Sequence, residues 1–337
     1  MHRFGEERAK WVKSGRTQNI SDFISREIKW TSELEDHLRR GTKLTFSKKS
    51  VQNSLYRPFV KKITYFSDAI THRPYQNFNI FPDDNAKNCV ISVGCEERIP
   101  FTAIAANALP NKDLFMPGAG QCFPRFRFNN EGDQIDNITD WALDQFRTQY
   151  AGHASITKDA IFHYVYAVLH DPLYREKYAQ NLKREFPRIP FYPDFAQWAA
   201  WGETLMALHI GYESVAPWPL KRLDVPDAKA RAAGLKPKPI LKSDPDSGVI
   251  TLDSETQLTG VPAQAWTYRL GNRSALDWIL DQHKEKTPKD PTIREKFNTY
   301  RFADYKEKVV DLLMRVTRVS VETMEIVAAM RGAARAP

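Results

Sequence analysis

The stretch Thr157–Tyr178, TKDAIFHYVYAVLHDPLYREKY, decides the class of the fold. Ile161, Val165, Val168 and Leu169 recur at helical spacing behind Thr157, whose hydroxyl suits an N-cap. Asp171-Pro172 closes that helix and opens another, because Asp can cap and Pro fits the first helical position. Tyr174, Tyr178 and Leu182 then share one face, until Pro187-Arg188-Ile189-Pro190 breaks the pattern. A third helix is predicted from Asp194, with Trp198, Trp201, Leu205, Leu208 and Tyr212 forming a stripe that reads as core.

The texture differs on either side. From Tyr56 to Phe128, β-prone runs (Lys62–Phe66, Cys89–Val93, Cys122–Phe128) alternate with turn clusters such as Pro82-Asp83-Asp84-Asn85. Residues 1–55 read as short helices, with a capping-box pattern at Ser32-Glu33-Leu34-Glu35 and Gly41 as the glycine just past a helix end. Residues 216–245 are basic and punctuated by proline, which predicts a long loop or edge strands. Val249–Leu252 and Trp266–Leu270 read as strands. Helices are expected from Ser274 to about His283 and from Asp304 towards Met330, separated by the turn stretch Thr287–Pro291. No internal repeat is present, and the fold class is α+β.

The chain has 337 residues, and 42% of them are hydrophobic. That is enough for a sizeable core, which excludes a disordered tail. Its length suggests about two domains. A mean hydropathy of −0.53 and the lack of an uncharged apolar run near the ~18 residues of a span exclude a transmembrane helix. Met1–Glu6 carries no apolar signal region. Cys89, Cys95 and Cys122 are too few for a disulfide scaffold, which points to a reduced, cytoplasmic setting.

The net charge of +8 is unevenly placed. Residues 1–75 hold 16 Lys+Arg against 8 Asp+Glu, and the remainder holds 33 of each. A second basic stretch runs from Pro217 to Lys242, with seven basic residues against Asp224 and Asp227. Such surfaces suit a polyanion, nucleic acid first, although a solvated face or a seam with an acidic neighbour has the same composition.

Catalytic patterns are weak. Cys89 and Cys95 have no second pair, so a zinc site does not follow. His163 and His170, with Asp171, occupy one helix face, and packed histidines are the stronger reading. Gly118-Ala119-Gly120 lacks the longer phosphate-binding pattern and reads as a turn. No Walker lysine motif is present. Asp304-Tyr305-Lys306 matches half of a nuclease signature but lacks the Pro-Asp strand before it. No serine or cysteine nucleophile has an assigned base. The chain is expected to perform no chemistry alone.

Five segments, read together, are distinctive: Tyr56-Arg57-Pro58-Phe59, Ile80-Phe81-Pro82, Asp159–Tyr178, Asn181–Pro190 and Tyr268–Trp278. Their order resembles the C-terminal portion of type ISP restriction–modification enzymes. These are single polypeptides joining a nuclease, a translocating ATPase, an adenine methyltransferase and a target-recognition domain. The resemblance runs from about Lys43 to the end, and residues 1–42 are less diagnostic. The methyltransferase's Asn-Pro-Pro-Tyr/Phe motif and glycine-rich cofactor motif are missing, as are the ATPase and nuclease motifs.

The resemblance therefore implies a specificity module for sequence-specific double-stranded DNA. Residues 1–75 would be a basic helical connector following the methyltransferase core. Residues 76–337 would be the recognition region, divided into 76–135 (β-rich), 136–215 (helical), 216–270 (basic loop and strands) and 271–337 (helical). It implies no cofactor in this chain. S-adenosylmethionine, ATP and Mg would belong to the parent enzyme, which would methylate adenine and cleave DNA with ATP. The partners implied are DNA and the methyltransferase and ATPase/nuclease domains, in the same or a separate chain, with no membrane.

Candidates for phosphate contacts are Arg57, Lys61, Lys62, Lys221, Arg222, Lys236 and Lys238. Each also reads as a solvated surface residue. Candidates for base reading are Arg73, Gln76, Asn77, Arg98, Gln121, Arg125, Arg127, Asn272 and Arg273, whose side chains fit the major-groove donor–acceptor code. For Arg125 and Arg127 the competing reading is an exposed strand face between inward Phe126 and Phe128. Asn272-Arg273 can equally be turn residues. Two other classes stay open: a scaffold docking its helices on the methyltransferase, and an enzyme using Asp304 and Lys306 or the His163/His170 face.

Overall fold

Phe4, Trp11, Phe23 and Leu38 gather the N-terminal residues around one small buried cluster. The computed structural model describes residues 1–25, 27–71, 74–118, 120–150 and 156–335. Helix α1 (His2–Lys13) and helix α2 (Ser32–Arg40) frame that cluster. Thr31, one residue before the expected Ser32, caps α2 by accepting from the Leu34 N–H. Gly41 ends it at φ 64°, a left-handed conformation that glycine adopts at little cost.

Strands β1 (Val51–Arg57) and β2 (Val60–Tyr65) then form an antiparallel pair. The segment 51–65 is thus a hairpin rather than part of a helical connector. Its Leu55, Phe59 and neighbouring Phe66 enter the main core, not the N-terminal cluster. The hairpin's turn holds Phe59 at φ 59°. The fully buried ring offsets that strain by packing edge-on against Tyr212 and Tyr268.

Strands β3 (Val90–Glu96), β4 (Ile99–Ala106) and β6 (Gly120–Pro124) make a three-stranded antiparallel sheet. The short β5 (Leu109–Pro110) pairs in parallel with β1. Strands β7 (Phe126–Phe128) and β8 (Gln134–Asp136) pair beside them. The β4-β3-β6 sheet is covered on both faces. Val90, Ile104 and Ala106 enter one core, while Ile91, Val93, Ala103 and Ala105 enter the other. This two-sided burial explains the nearly continuous apolar runs in β3 and β4.

Four helices follow: α3 (Asp140–Gln149), α4 (Lys158–Val168), α5 (Pro172–Lys177) and α6 (Phe195–Ile210). Thr157, Asp171 and Asp194 cap the last three as expected, each accepting from a backbone N–H. Trp198 and Leu205 of the apolar stripe are fully buried. Helices α4 and α6 pack so closely that a Cβ at Gly202 would lie 1.7 Å from the His163 carbonyl oxygen.

The basic, proline-punctuated region supplies β9 (Lys221–Asp224), the short helix α7 (Ala228–Ala232) and β10 (Pro239–Asp244). With β11 (Val249–Asp253) and β12 (Thr256–Thr259) they build a sheet of order β10-β11-β12-β9, so the two basic strands are its edges. Trp266 and Thr267, expected to be strand, instead end helix α8 (Ala263–Thr267). Pro262 opens it and Ala263-Gln264-Ala265 favours helix, which outweighs the short aromatic run. The strand there is only β13 (Arg269–Leu270), paired with β14 (Arg273–Ser274). Ser274 caps α9 (Ala275–His283), and α10 spans Lys306–Arg331.

Helix α10 joins the two cores. Val309, Val310, Leu313, Val316, Val319 and Val321 enter the first, and Met330 enters the second. The overall class is α+β, as the sequence predicts. No described helix is long and apolar enough to cross a membrane.

Candidate nucleic-acid interface

Two tight turns meet at one edge of the molecule. The β3–β4 tip carries Glu97 and Arg98, and the β13–β14 turn carries Gly271 and Asn272. Gly271 is left-handed, with φ 65°, which fits a two-residue hairpin turn. Asn272 Nδ2 donates to the Arg98 backbone carbonyl at 3.3 Å. Arg98 itself pairs with Glu96 at 3.0 Å and stays exposed. Arg98, Asn272 and Arg273, separate in sequence, are therefore neighbours in the fold.

Arg273 extends this edge. It lies over the Trp278 ring at 5.0 Å and pairs with Asp281 at 3.1 Å. Asp281 also holds Lys286 at 3.3 Å. Lys62 and Arg57 both lie over the Tyr56 ring, at 4.3 and 4.4 Å. The Lys62 pKa is pushed down by desolvation, then by the positive charges of Arg57 and Lys286. Such crowding of like charge favours an anionic partner.

Beneath the two turns lies a groove of about 630 Å³. Arg98, Arg175, Lys183, Arg269 and Arg331 line it, against Glu97 as the acidic residue of the wall. Arg175 is anchored by its Nε, which donates to the Leu169 carbonyl at 2.6 Å, and its guanidinium lies over the Phe101 ring. Burial pushes its pKa down to about 10. It remains charged at neutral pH. Such an array can hold phosphate oxygens through charge-assisted hydrogen bonds.

The family model described as the type ISP C-terminal specificity domain matches residues 3–312. The chain belongs to that family. The match takes in the N-terminal residues whose resemblance is less diagnostic by sequence. Among solved structures, the specificity domain is similar to the cryoEM structure of a DrdV–DNA complex, with 48% identity and a TM-score of 0.88. That likeness covers 97% of this chain and 32% of the other.

A nuclease-deletion mutant of the type ISP enzyme LlaGI with a DNA substrate mimic has 24% identity and a TM-score of 0.78. It matches over 100% of this chain and 30% of that one. The ATP-dependent type ISP enzyme LlaBIII bound to DNA has 21% identity and a TM-score of 0.79, over 100% of this chain and 22% of that one. These two show the shared fold. The specificity domain thus spans about a third or less of the chains it matches. No curated protein matches it.

Within the specificity domain the remaining predicted residues fall elsewhere. Arg125 is neither an exposed strand residue nor open for base reading. It is buried, paired with Asp136 and with Asp159 at 2.5 Å, and stacked over Phe126. Arg222 is no free phosphate clamp, since Glu307 takes it at 2.6 and 3.1 Å and Asp224 at 2.8 Å. Lys61 pairs with Glu213 at 2.5 Å.

Lys221, Lys236 and Lys238 are exposed on or beside the edge strands of the four-stranded sheet. Arg127 on β7 and Gln121 on β6 are exposed as well, and none of these five lines the groove. Gln76 Oε1 accepts from Asn79 Nδ2, and the Asn77 carbonyl accepts from the N–H groups of Ile80 and Phe81. Arg73 lies outside the described residues.

The weaker chemical motifs resolve into structure. His170 is buried with Nδ1 against the Tyr166 carbonyl, and burial holds it neutral, far below the usual histidine range. Lys306 pairs with Asp253 at 2.8 Å, while Asp304 is exposed in a turn before α10. Burial pushes the Cys89 and Cys95 thiols up to about 11. Among the described residues, no three His, Cys, Asp or Glu side chains cluster as metal ligands do.

Sequence reasoning missed Arg175, Lys183, Arg269 and Arg331 as site residues. The signal for three of them was present. Arg175 lies in Asp159–Tyr178, Lys183 in Asn181–Pro190 and Arg269 in Tyr268–Trp278, three segments that all line the groove.

Proposed function

We propose that this specificity domain recognises one sequence in duplex DNA and directs catalysis performed by other domains. The observation that carries the reading is its 48% identity, over 97% of its length, to a chain solved as a DNA complex. The geometry agrees with it. In this reading Arg98, Asn272 and Arg273, on two adjoining turns, would read bases, and Arg57 and Lys62 would contact the backbone.

In the whole enzyme the domain positions a site so that a methyltransferase can flip out and methylate an adenine. S-adenosylmethionine, ATP and Mg serve those other domains, and this chain needs none of them to bind DNA. The setting is the bacterial cytoplasm, where restriction and modification act on DNA. The test is selection of duplexes from a randomised pool by the purified chain. Enrichment of one asymmetric sequence supports the reading, and retention of the pool's original composition refutes it.

A further inference from the structure

The groove between the two turns holds more positive charge than its protein surroundings satisfy. Asp171, whose charge Arg175 feels, is taken by Arg335 through hydrogen bonds of 2.6 and 2.9 Å. Among the described residues, no carboxylate lies within 4.0 Å of Arg175, Lys183 or Arg331. Tyr268 also lines the groove, and its buried hydroxyl has no hydrogen-bond partner among them. A half-buried guanidinium with no carboxylate in contact is costly to retain. An array of this kind is arranged for an oxyanion.

We propose that this groove is a phosphate-binding site, with Arg175 gripping the phosphate oxygens and Lys183 and Arg331 neutralising the charge from the sides. The inference rests on the DNA reading above and deepens it, since the phosphate is taken to be a backbone phosphodiester. Two features favour phosphate over an acidic protein segment. The cations converge on one concavity, as a multidentate tetrahedral group requires. Arg175 and Lys183 come from Asp159–Tyr178 and Asn181–Pro190, two of the five segments that carry the family resemblance, and Tyr268–Trp278, the β3–β4 tip and the end of α10 complete the walls. A site built from shared segments suits recognition that ignores base sequence.

The test titrates the full chain against mixed-sequence duplexes over a range of salt. Arg175→Gln is expected to weaken binding about tenfold on every duplex and to reduce the logarithmic salt slope by about one. The double variant Lys183→Ala/Arg331→Ala changes the rim alone, so it keeps the test decisive if Arg175→Gln unfolds. It is expected to shift affinity and slope in the same direction. Wild-type affinity and slope in these variants would overturn the phosphate site while leaving DNA binding intact, and would point to a protein occupant.

A second arm separates the sources of phosphate. If the wild-type chain binds no duplex, the DNA reading fails by itself. Inorganic phosphate that raises the melting temperature of the wild type, and not of Arg175→Gln, then supports a free-phosphate site. No such rise, together with no DNA binding, overturns the site.

Discussion

The side-chain amide of Asn272 donates to the backbone carbonyl of Arg98, a residue 174 positions earlier in the chain. This bond ties the β13–β14 turn to the β3–β4 tip, and so fixes two base-reading candidates relative to each other. Recognition of bases depends on donors held in register, which is a matter of loop position as much as of residue type.

Asn272→Ala removes that tie and one base-reading candidate together. The expected result is about a tenfold loss of preference for the selected sequence over scrambled duplex, near 1.4 kcal/mol, with binding to scrambled duplex unchanged. Competition titration reads both quantities. An equal loss on both duplexes would place Asn272 among backbone contacts instead.

Arg125 is predicted to matter for stability and not for specificity. It ties the β6–β7 junction to Asp136 and Asp159, and its guanidinium holds the Asp136 carboxyl below its usual range. Both acids are largely exposed, so Arg125→Ala leaves no buried charge behind. A cost of about 1–3 kcal/mol is expected from chemical denaturation, with the ratio of selected to scrambled affinity retained.

Gly202→Ala addresses the packing of helix α4 against helix α6. Its new methyl group meets the His163 backbone carbonyl, which cannot rotate away as a side chain could. Helices α4 and α6 must separate, at an expected cost of at least about 2 kcal/mol. Denaturation midpoints check this, and a midpoint equal to wild type would contradict the packing.

Stability should fall on mild acidification. His209 is buried between the Tyr166 hydroxyl and Thr323, and desolvation, followed by the Arg175 charge, pushes its pKa down to about 3. The unfolded chain binds the proton near pH 6.5 and the folded chain does not. Its contribution is therefore full above pH 6.5 and is lost as pH falls towards 3, by up to about 1.4 kcal/mol per unit. His163, His170 and His283 are lowered too and add to the slope. Stability that stays flat between pH 7 and 5, or a slope unchanged in His209→Asn, would count against this.

Local features were legible in the sequence and tertiary ones were not. Thr157, Asp171, Asp194 and Ser274 cap helices where expected, because a cap is decided within a few neighbouring residues. The class α+β followed from the same periodicities. Of the 51–65 hairpin, the second strand was legible as the β-prone run Lys62–Phe66, while the first was hidden because its partner strand β5 and its core are remote in sequence. The strand at Trp266 failed because helix-favouring alanines precede it. Base-reading candidates Arg98 and Asn272 were named one by one, yet only the fold shows that they touch. The burial of Arg125 depends on Asp136 and Asp159, which no alternation pattern predicts. The groove escaped notice because its walls lie far apart in the chain.

The most direct measurement is the ratio of affinities of the purified chain for its selected duplex and for a scrambled duplex, at physiological salt. The account predicts a ratio of about a thousand or more, with a shallower salt dependence on the selected duplex. A ratio near one, with the same steep salt dependence on both, would contradict it and leave only non-specific attraction to a basic surface.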